Sequence, residues 1–146
     1  MIKIEIEDGG IKEALEKLQE YMRDRRPLMR EIAGIMLNAV EENFAQEGRP
    51  RWKPLSPRTI KAREKKGYWP GAILQMRGEL AASISTYSDK DSAVVGTNKV
   101  YAGIHQFGGK AGRGKKVEIP ARPFLLLIEE DLMSIKEVII RHFSRI

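Results

Sequence analysis

The sequence contains no cysteine and only two histidines, and its apolar runs are short. Without cysteine the chain can form neither a disulfide nor a thiolate metal site. No apolar run approaches the roughly 18 residues that a membrane-spanning helix needs, and the alternating N-terminus lacks a signal-peptide core. We therefore predict a protein without a membrane partner. The lack of cysteine is also compatible with assembly in a reducing cytoplasm.

Residues that could carry out catalysis are equally scarce. A histidine that acts as a base needs a nucleophile and an orienting acid, and acidic residues are sparse around His105, between Asp91 and Glu118. The glycine-rich run over residues 108–116 lacks the spacing of a phosphate-binding loop. His105 and His142 do not stand at metal-ligand spacing. We predict no enzyme activity, no cofactor and no metal site, and a structural or interface role for His105.

Positive charge is concentrated in two segments of the chain. The 146 residues, 42% hydrophobic and 32% charged, are expected to form a single domain over their whole length. Of the net charge of +6, residues 48–66 contribute eight Lys or Arg against Glu64 alone. Residues 110–122 contribute five against Glu118, whereas residues 1–47 carry a net charge of −4. Such clusters of cations can bind an acidic partner, either a protein or a nucleic acid.

Apolar residues at helical spacing predict two long helices, over residues 28–47 and 129–145. The acidic start and the basic end of the second helix both suit the helix dipole. The predicted buried stripe of that helix consists of Ile128, Leu132, Ile135, Ile139 and Phe143. We expect Phe44 of the first helix to be buried with Ile139 and Phe143, because these two helices carry the largest apolar surfaces.

Shorter helical patterns occur elsewhere. One amphipathic helix is predicted over residues 11–22. Another begins after Ser56, which can cap a helix that has Pro57 at its first position and ends at Gly67. The surface of this second helix is almost entirely basic, so we expect it to pack weakly and to be mobile.

Alternating apolar residues predict strands over residues 2–7, 83–87, 93–97 and 117–119. We expect these strands to form one small, mainly antiparallel sheet. The two long helices would cover one face of the sheet, with mobile basic loops at the surface. A further buried strand can follow at residues 125–127. The predicted fold class is α+β.

The stretch from Tyr101 to Leu125 holds the most unusual residue choices. Its first part predicts a short helical turn that ends at Gly108, followed by a flexible basic loop and a return strand. Pro120 and Pro123 restrict the backbone on either side of Arg122 and hold that residue extended. Arg122 can be either a buried structural bridge or a contact between subunits.

Three pieces of the sequence resemble the phage virion morphogenesis family, the Mu-type tail completion proteins. The first, Trp52–Thr59, reads Trp-Lys-Pro-Leu-Ser-Pro-Arg-Thr, and the second, Leu74–Leu80, reads Leu-Gln-Met-Arg-Gly-Glu-Leu. The third lies within Tyr101–Leu125 and contains Tyr-Ala, His-Gln-Phe-Gly and, after a loop, Ile-Pro-Ala-Arg-Pro-Phe-Leu. The pieces stand in the order expected for the family and together span nearly the whole chain.

The resemblance implies a phage or prophage structural protein that acts late in virion assembly and completes the tail or the head–tail junction. It also implies the α+β fold and a homo-oligomeric ring, with other tail or neck proteins as partners. The protein would be part of the virion and would be assembled in the cytoplasm of the bacterial host. By analogy, residues 49–69 and 108–116 would be the surfaces that reach neighbouring subunits and partner rings.

The aromatic residues within the basic segments leave three alternatives open. Trp52, Tyr68 and Trp69 could stack on bases, form the centre of a protein interface, or, for the two tryptophans, cap the core. The rival to the structural role is therefore a basic module that binds nucleic acid. The candidate interface residues are Arg51, Trp52, Lys53, Arg63, Tyr68, Trp69, His105, Lys110, Arg113, Lys115, Lys116 and Arg122.

Overall fold

The structure, a computed structural model, describes residues 9–144 and belongs to the predicted α+β class. The helices are α1 (Gly9–Arg23), α2 (Arg26–Ala45), α3 (Pro57–Lys66), α4 (Glu79–Ala82), α5 (Ala102–Phe107) and α6 (Glu129–Ser144). The strands are β1 (Ser85–Ser88), β2 (Ala93–Gly96), β3 (Gly109–Ala111) and β4 (Val117–Ile119), with a 3-10 turn at Arg113–Lys115. The strand predicted over residues 2–7 lies outside the described residues.

Helix α2 is the central element, because α6 and both strands of the β1–β2 hairpin pack against it. The main core cluster surrounds its C-terminal half and consists of Val40, Phe44, Trp52, Ile73, Leu80, Ala102 and Phe124. A smaller cluster near its N-terminus consists of Leu28, Ile32 and Val138. The core therefore follows α2 along its length, and the segments that succeed it in the chain close over its far end.

The strands form two separate antiparallel pairs, so the prediction of one sheet was wrong. Strand β1 pairs with β2, and β3 pairs with β4. The error arose at β3, because its glycine-rich sequence carries no strand pattern and left residues 117–119 without a local partner. The run predicted as a flexible loop is thus a hairpin, and its mobility stays a prediction. Residues 125–127 are not a strand, since side chains bond the neighbouring backbone instead.

Helix α6 is rotated relative to the predicted stripe, of which Ile135 and Ile139 still pack against the smaller core cluster. Its buried residues are Val138 and His142, whereas Phe143 is 45% exposed. The predicted burial of Phe143 with Phe44 was therefore wrong. Polar contacts explain the rotation, because His142 bonds the carboxylate of Glu31. Apolar periodicity does not detect such an anchor.

The ends of α3 agree with the prediction. The hydroxyl of Ser56 accepts a hydrogen bond from the Thr59 amide at 3.3 Å, and Pro57 occupies the first turn. Gly67 ends the helix in the left-handed conformation, with φ of 79°. These features depend on neighbouring residues in the chain, so the sequence is sufficient to predict them.

Candidate functional site

The three sequence pieces that carry the family resemblance meet at one groove. This groove, which we name the motif groove, has a volume of about 880 Å³. It is lined by residues from Lys53–Thr59, from the later part of α3, from Leu74–Leu80, and from Tyr101–Arg122. Segments that are far apart in the chain therefore form a single concave surface.

Arg122 joins two of these pieces. Its Nε donates to the carbonyl oxygen of Lys53 at 2.9 Å, and its Nη2 donates to that of Pro54 at 3.0 Å. Its backbone amide donates to the carbonyl oxygen of His105 at 2.7 Å. With 7% of its surface exposed, Arg122 is buried. The structural bridge that the sequence left open is thus present, and it holds the Lys53–Pro54 segment against the return strand.

Gln106 fastens the same region to the core. Its side-chain oxygen accepts hydrogen bonds from the amides of Phe124 and Leu125, at 3.1 and 2.9 Å. Its side-chain nitrogen donates to the carbonyl oxygen of Leu125 at 3.0 Å. Buried Asn43 of α2 donates to the carbonyl oxygens of Phe124 and Leu126. The side-chain amides of Gln106 and Asn43 thus bond the backbone of residues 124–126 as a neighbouring strand would. Neither residue was predicted from the sequence.

Gly108 allows the chain to turn closely between α5 and β3. Its φ is 75°, and a Cβ atom there would lie 2.8 Å from the Ala121 nitrogen and 3.0 Å from the Ile119 oxygen. Both obstacles are backbone atoms, which cannot move aside as a flexible side chain can. Only glycine fits this position without strain. The close approach brings β4 and the Pro120–Pro123 segment beside α5.

Arg63 is the buried residue of α3, with 6% of its surface exposed. Its Nη1 donates to the carbonyl oxygen of Ala72 at 2.9 Å, which ties α3 to the segment before α4. Burial lowers the pKa of this guanidinium, and Glu47 opposes that effect. Arg63 therefore does not belong to the exposed basic surface of α3.

Two buried cations lie near each other in the motif groove. Burial lowers the pKa of Arg122, and the positive charge of Arg63 lowers it further. Both side chains line the groove, and they donate hydrogen bonds to backbone carbonyl oxygens. The electrostatic character of this part of the groove is consequently positive.

His105 also lines the motif groove, beside Tyr101. The two rings meet edge to face, with centroids 6.2 Å apart. Burial, and then the charge of Arg122, lowers the pKa of His105, which favours the neutral ring. Its Nδ1 is buried and has no hydrogen-bond partner among residues 9–144. This nitrogen is therefore an unsatisfied polar atom inside the subunit, next to the groove.

Trp52 lies in the core, which is one of the alternatives that the sequence left open. Its indole N–H donates to the carbonyl oxygen of Pro123 at 3.0 Å, and its ring meets Phe44 edge to face. By contrast, Tyr68 is 36% exposed and Trp69 is half-buried. The side chain of Trp52 thus packs inside the subunit, whereas the pair at 68–69 remains accessible at the surface.

The other candidate interface residues do not form a single site. Four of the candidates line the motif groove, namely Lys53, Arg63, His105 and Arg122. Of these, Lys53 is exposed. The exposed candidates that do not line the groove are Arg51, Tyr68, Lys110, Arg113, Lys115 and Lys116. The last four extend along the β3–β4 hairpin.

Within the described part of the chain, no three histidine, aspartate or glutamate side chains converge as metal ligands. No helix between residues 9 and 144 is both long enough and apolar enough to span a membrane.

Comparisons with known proteins agree over most of the chain. The model of the phage virion morphogenesis family matches residues 6–144. Mu-like prophage FluMu G protein 2 of Haemophilus influenzae is 48% identical over 145 residues, which cover 99% of this chain and 97% of that protein. The putative capsid assembly protein G of Escherichia phage Mu is 33% identical, over 85% of this chain and 82% of that protein.

A more distant relative is tail completion protein S of Escherichia phage P2. It is 29% identical over 135 residues, which cover 83% of this chain and 85% of that protein. No solved structure matches the chain.

Proposed function

This chain belongs to the phage virion morphogenesis family, and we propose that it completes the tail or the head–tail junction as the subunit of a homo-oligomeric ring. Family membership makes it a phage structural protein of virion assembly. Its partners are then neighbouring copies and other tail or neck proteins. It acts in the virion, after assembly in the cytoplasm of the host.

The observation that carries the proposal is the motif groove. The pieces that carry the family resemblance are distant in sequence, yet they enclose one groove and are held there by Arg122 and Gln106. Relatives named for capsid assembly and for tail completion support a role at this stage of assembly. We infer that the protein acts by contact with other subunits and not by catalysis.

The accessible surface for such contacts includes the basic segment after α2. Arg51 and Lys53 are exposed there, as is Tyr68 beyond α3. Aromatic and cationic residues together are typical of the centre and rim of protein interfaces. An acidic surface on a neighbouring subunit would complement this segment, since residues 1–47 carry a net charge of −4.

Loss of the gene from an inducible phage or prophage tests the function. We expect filled heads and separate tails that do not join, or tails whose head-proximal ends remain open, in electron micrographs. The same gene supplied from a plasmid should restore joined particles. Normal particles in the absence of the protein would contradict the proposal.

A nucleic-acid-binding role has one specific observation in its favour. The exposed cations of α3 form no ion pair among residues 9–144, namely Arg58, Lys61, Lys65 and Lys66. A true DNA-binding protein should lose affinity log-linearly as salt increases, because each phosphate contact releases counterions. Steep salt dependence with tight binding at moderate salt would favour this second function.

A further inference from the structure

We propose that the motif groove receives residues 2–8 of a neighbouring copy, and that carboxylates of this segment bind beside Arg63 and Arg122. The inference rests on the proposed ring and adds the contact that joins one subunit to the next.

The first observation is an unbalanced pair of buried charges. Arg63 and Arg122 are 6% and 7% exposed, and no carboxylate among residues 9–144 forms a salt bridge with either. Glu47 affects Arg63 only as a more distant charge. Buried charges are stable when a counter-charge is near. An incoming carboxylate would supply that counter-charge for both guanidinium groups.

The rim of the groove also carries a net positive charge. Three further cations line it, Lys53, Lys66 and Arg77, against two carboxylates, Glu79 and Glu118. Together with the two buried arginines, these residues make the groove a net cationic surface. Charge complementarity therefore selects an acidic occupant.

The groove also offers apolar surface. Leu74 and Met76 are half-buried, and Ile119 of β4 is as well. Leu74 has φ of 61°, a conformation that a non-glycine residue adopts at a cost of roughly 1–3 kcal/mol. Strain of this kind is typical of functional sites. An occupant that fits must therefore carry apolar side chains as well as carboxylates.

Residues 2–8 have this chemistry. The segment reads Ile-Lys-Ile-Glu-Ile-Glu-Asp. In an extended chain its three isoleucines share one face, and Glu5 and Glu7 share the other. Isoleucines could then contact Leu74, Met76 and Ile119, whereas carboxylates could reach Arg63 and Arg122. Seven extended residues span about 23 Å.

The proposed ring favours a neighbouring copy as the donor, because it brings a second copy of the chain beside each subunit. The motif groove adjoins the C-terminal end of α2, where Gln75 donates to the carbonyl oxygen of Phe44. Residues 2–8 join the start of α2 only through α1, which has 15 residues. The trapping experiment below compares a neighbouring copy with the same chain as the donor.

Disulfide trapping tests the contact directly, because the chain has no cysteine of its own. One full-length variant carries Ile4→Cys with a mass tag, and a second carries either Met76→Cys or Val117→Cys. Val117 lines the groove and is 50% exposed, so its replacement leaves the core intact. The control partner carries Met133→Cys, which is 55% exposed on α6 and does not line the groove.

We expect mild oxidation to join the tagged chain to a groove variant and not to the Met133→Cys control. The charge-reversed segment, Glu5→Lys with Glu7→Lys, should lower the yield about tenfold or more, because complementary charges become repulsive. A disulfide yield with the groove variants no higher than with the Met133→Cys control would overturn the proposal. So would a disulfide that forms only within one chain when Ile4→Cys and Val117→Cys are combined.

The mass of the untreated protein separates this inference from the proposed function. Discrete oligomers without trapping at the groove would leave the ring proposal standing and reject this contact. Trapping with oligomers that dissociate in the Glu5→Lys, Glu7→Lys variant would support both.

Discussion

Arg49 and Asp131 form a two-point ion pair that fastens the loop after α2 to the start of α6. Nη2 of Arg49 lies 2.9 Å from Oδ2 of Asp131, and Nη1 lies 3.2 Å from Oδ1. Both side chains are largely buried, with 11% and 12% of their surfaces exposed. Asp131 also accepts a hydrogen bond from the Ile128 amide. This carboxylate explains how α6 begins without a Ser or Thr at its cap.

The Arg49 pair should contribute measurably to stability. We expect Arg49→Met to lower the free energy of unfolding by about 2–3 kcal/mol, because it leaves the Asp131 carboxylate and the Asn43 oxygen without their partner. Arg51→Met is the matched control, since Arg51 is exposed, and it should change stability by less than about 0.5 kcal/mol. Urea unfolding of both variants checks this, and equal midpoints would contradict it.

Two glycines near α5 should respond to alanine in opposite directions. Gly108→Ala should destabilise the fold by roughly 1–3 kcal/mol, because φ is 75° and backbone atoms block the Cβ. Gly103 lies within α5 and has no atom within 4 Å of its Cβ position. Gly103→Ala should therefore stabilise the helix by about 0.5–1 kcal/mol. Thermal unfolding shifts of the same sign would refute this reading.

Phe143 and Phe124 provide a test of the rotated α6. Phe124 is fully buried, with 0% exposure, and Phe124→Ala should cost about 3–5 kcal/mol. Phe143 is 45% exposed, so Phe143→Ala should cost less than about 1.5 kcal/mol in the isolated subunit. Denaturant midpoints of the two variants compare these losses. If Phe143→Ala lowered stability as much as Phe124→Ala, Phe143 would be buried and the orientation described for α6 would be wrong.

Acidification should destabilise the fold through His105. Burial lowers the pKa of His105 from its usual value of 6.5, so below pH 6.5 the unfolded chain binds this proton more readily than the folded chain. The free energy of unfolding then falls as the pH decreases through that range. His105→Gln removes this contribution, and its stability should fall less between pH 7.5 and 5.5 in urea titrations. Identical pH slopes would be incompatible with this account.

Local signals in the sequence were sufficient to predict where a helix such as α3 begins and ends. The cap at Ser56, the proline at position 57 and the stop at Gly67 all act within a few residues. Tertiary pairings were not predictable in the same way. The inward turn of Arg63 depends on the carbonyl oxygen of Ala72, which only the folded chain brings near.

The strands and the groove show the same difference between local signals, which the sequence carries, and tertiary contacts, which it does not. Strand β3 has almost no apolar residue, so its pairing with β4 depends on the turn at Gly108 and not on a strand pattern. The motif pieces were visible in the sequence through their resemblance. Their convergence around one groove was not, because Arg122 and Gln106 act across the fold.

Cryo-electron microscopy of completed particles of a phage that encodes the protein tests the central claim most directly. The account predicts a closed ring of copies of this chain at the head-proximal end of the tail or in the neck. Particles in which that position is filled by other proteins, with this chain absent from the virion, would contradict it.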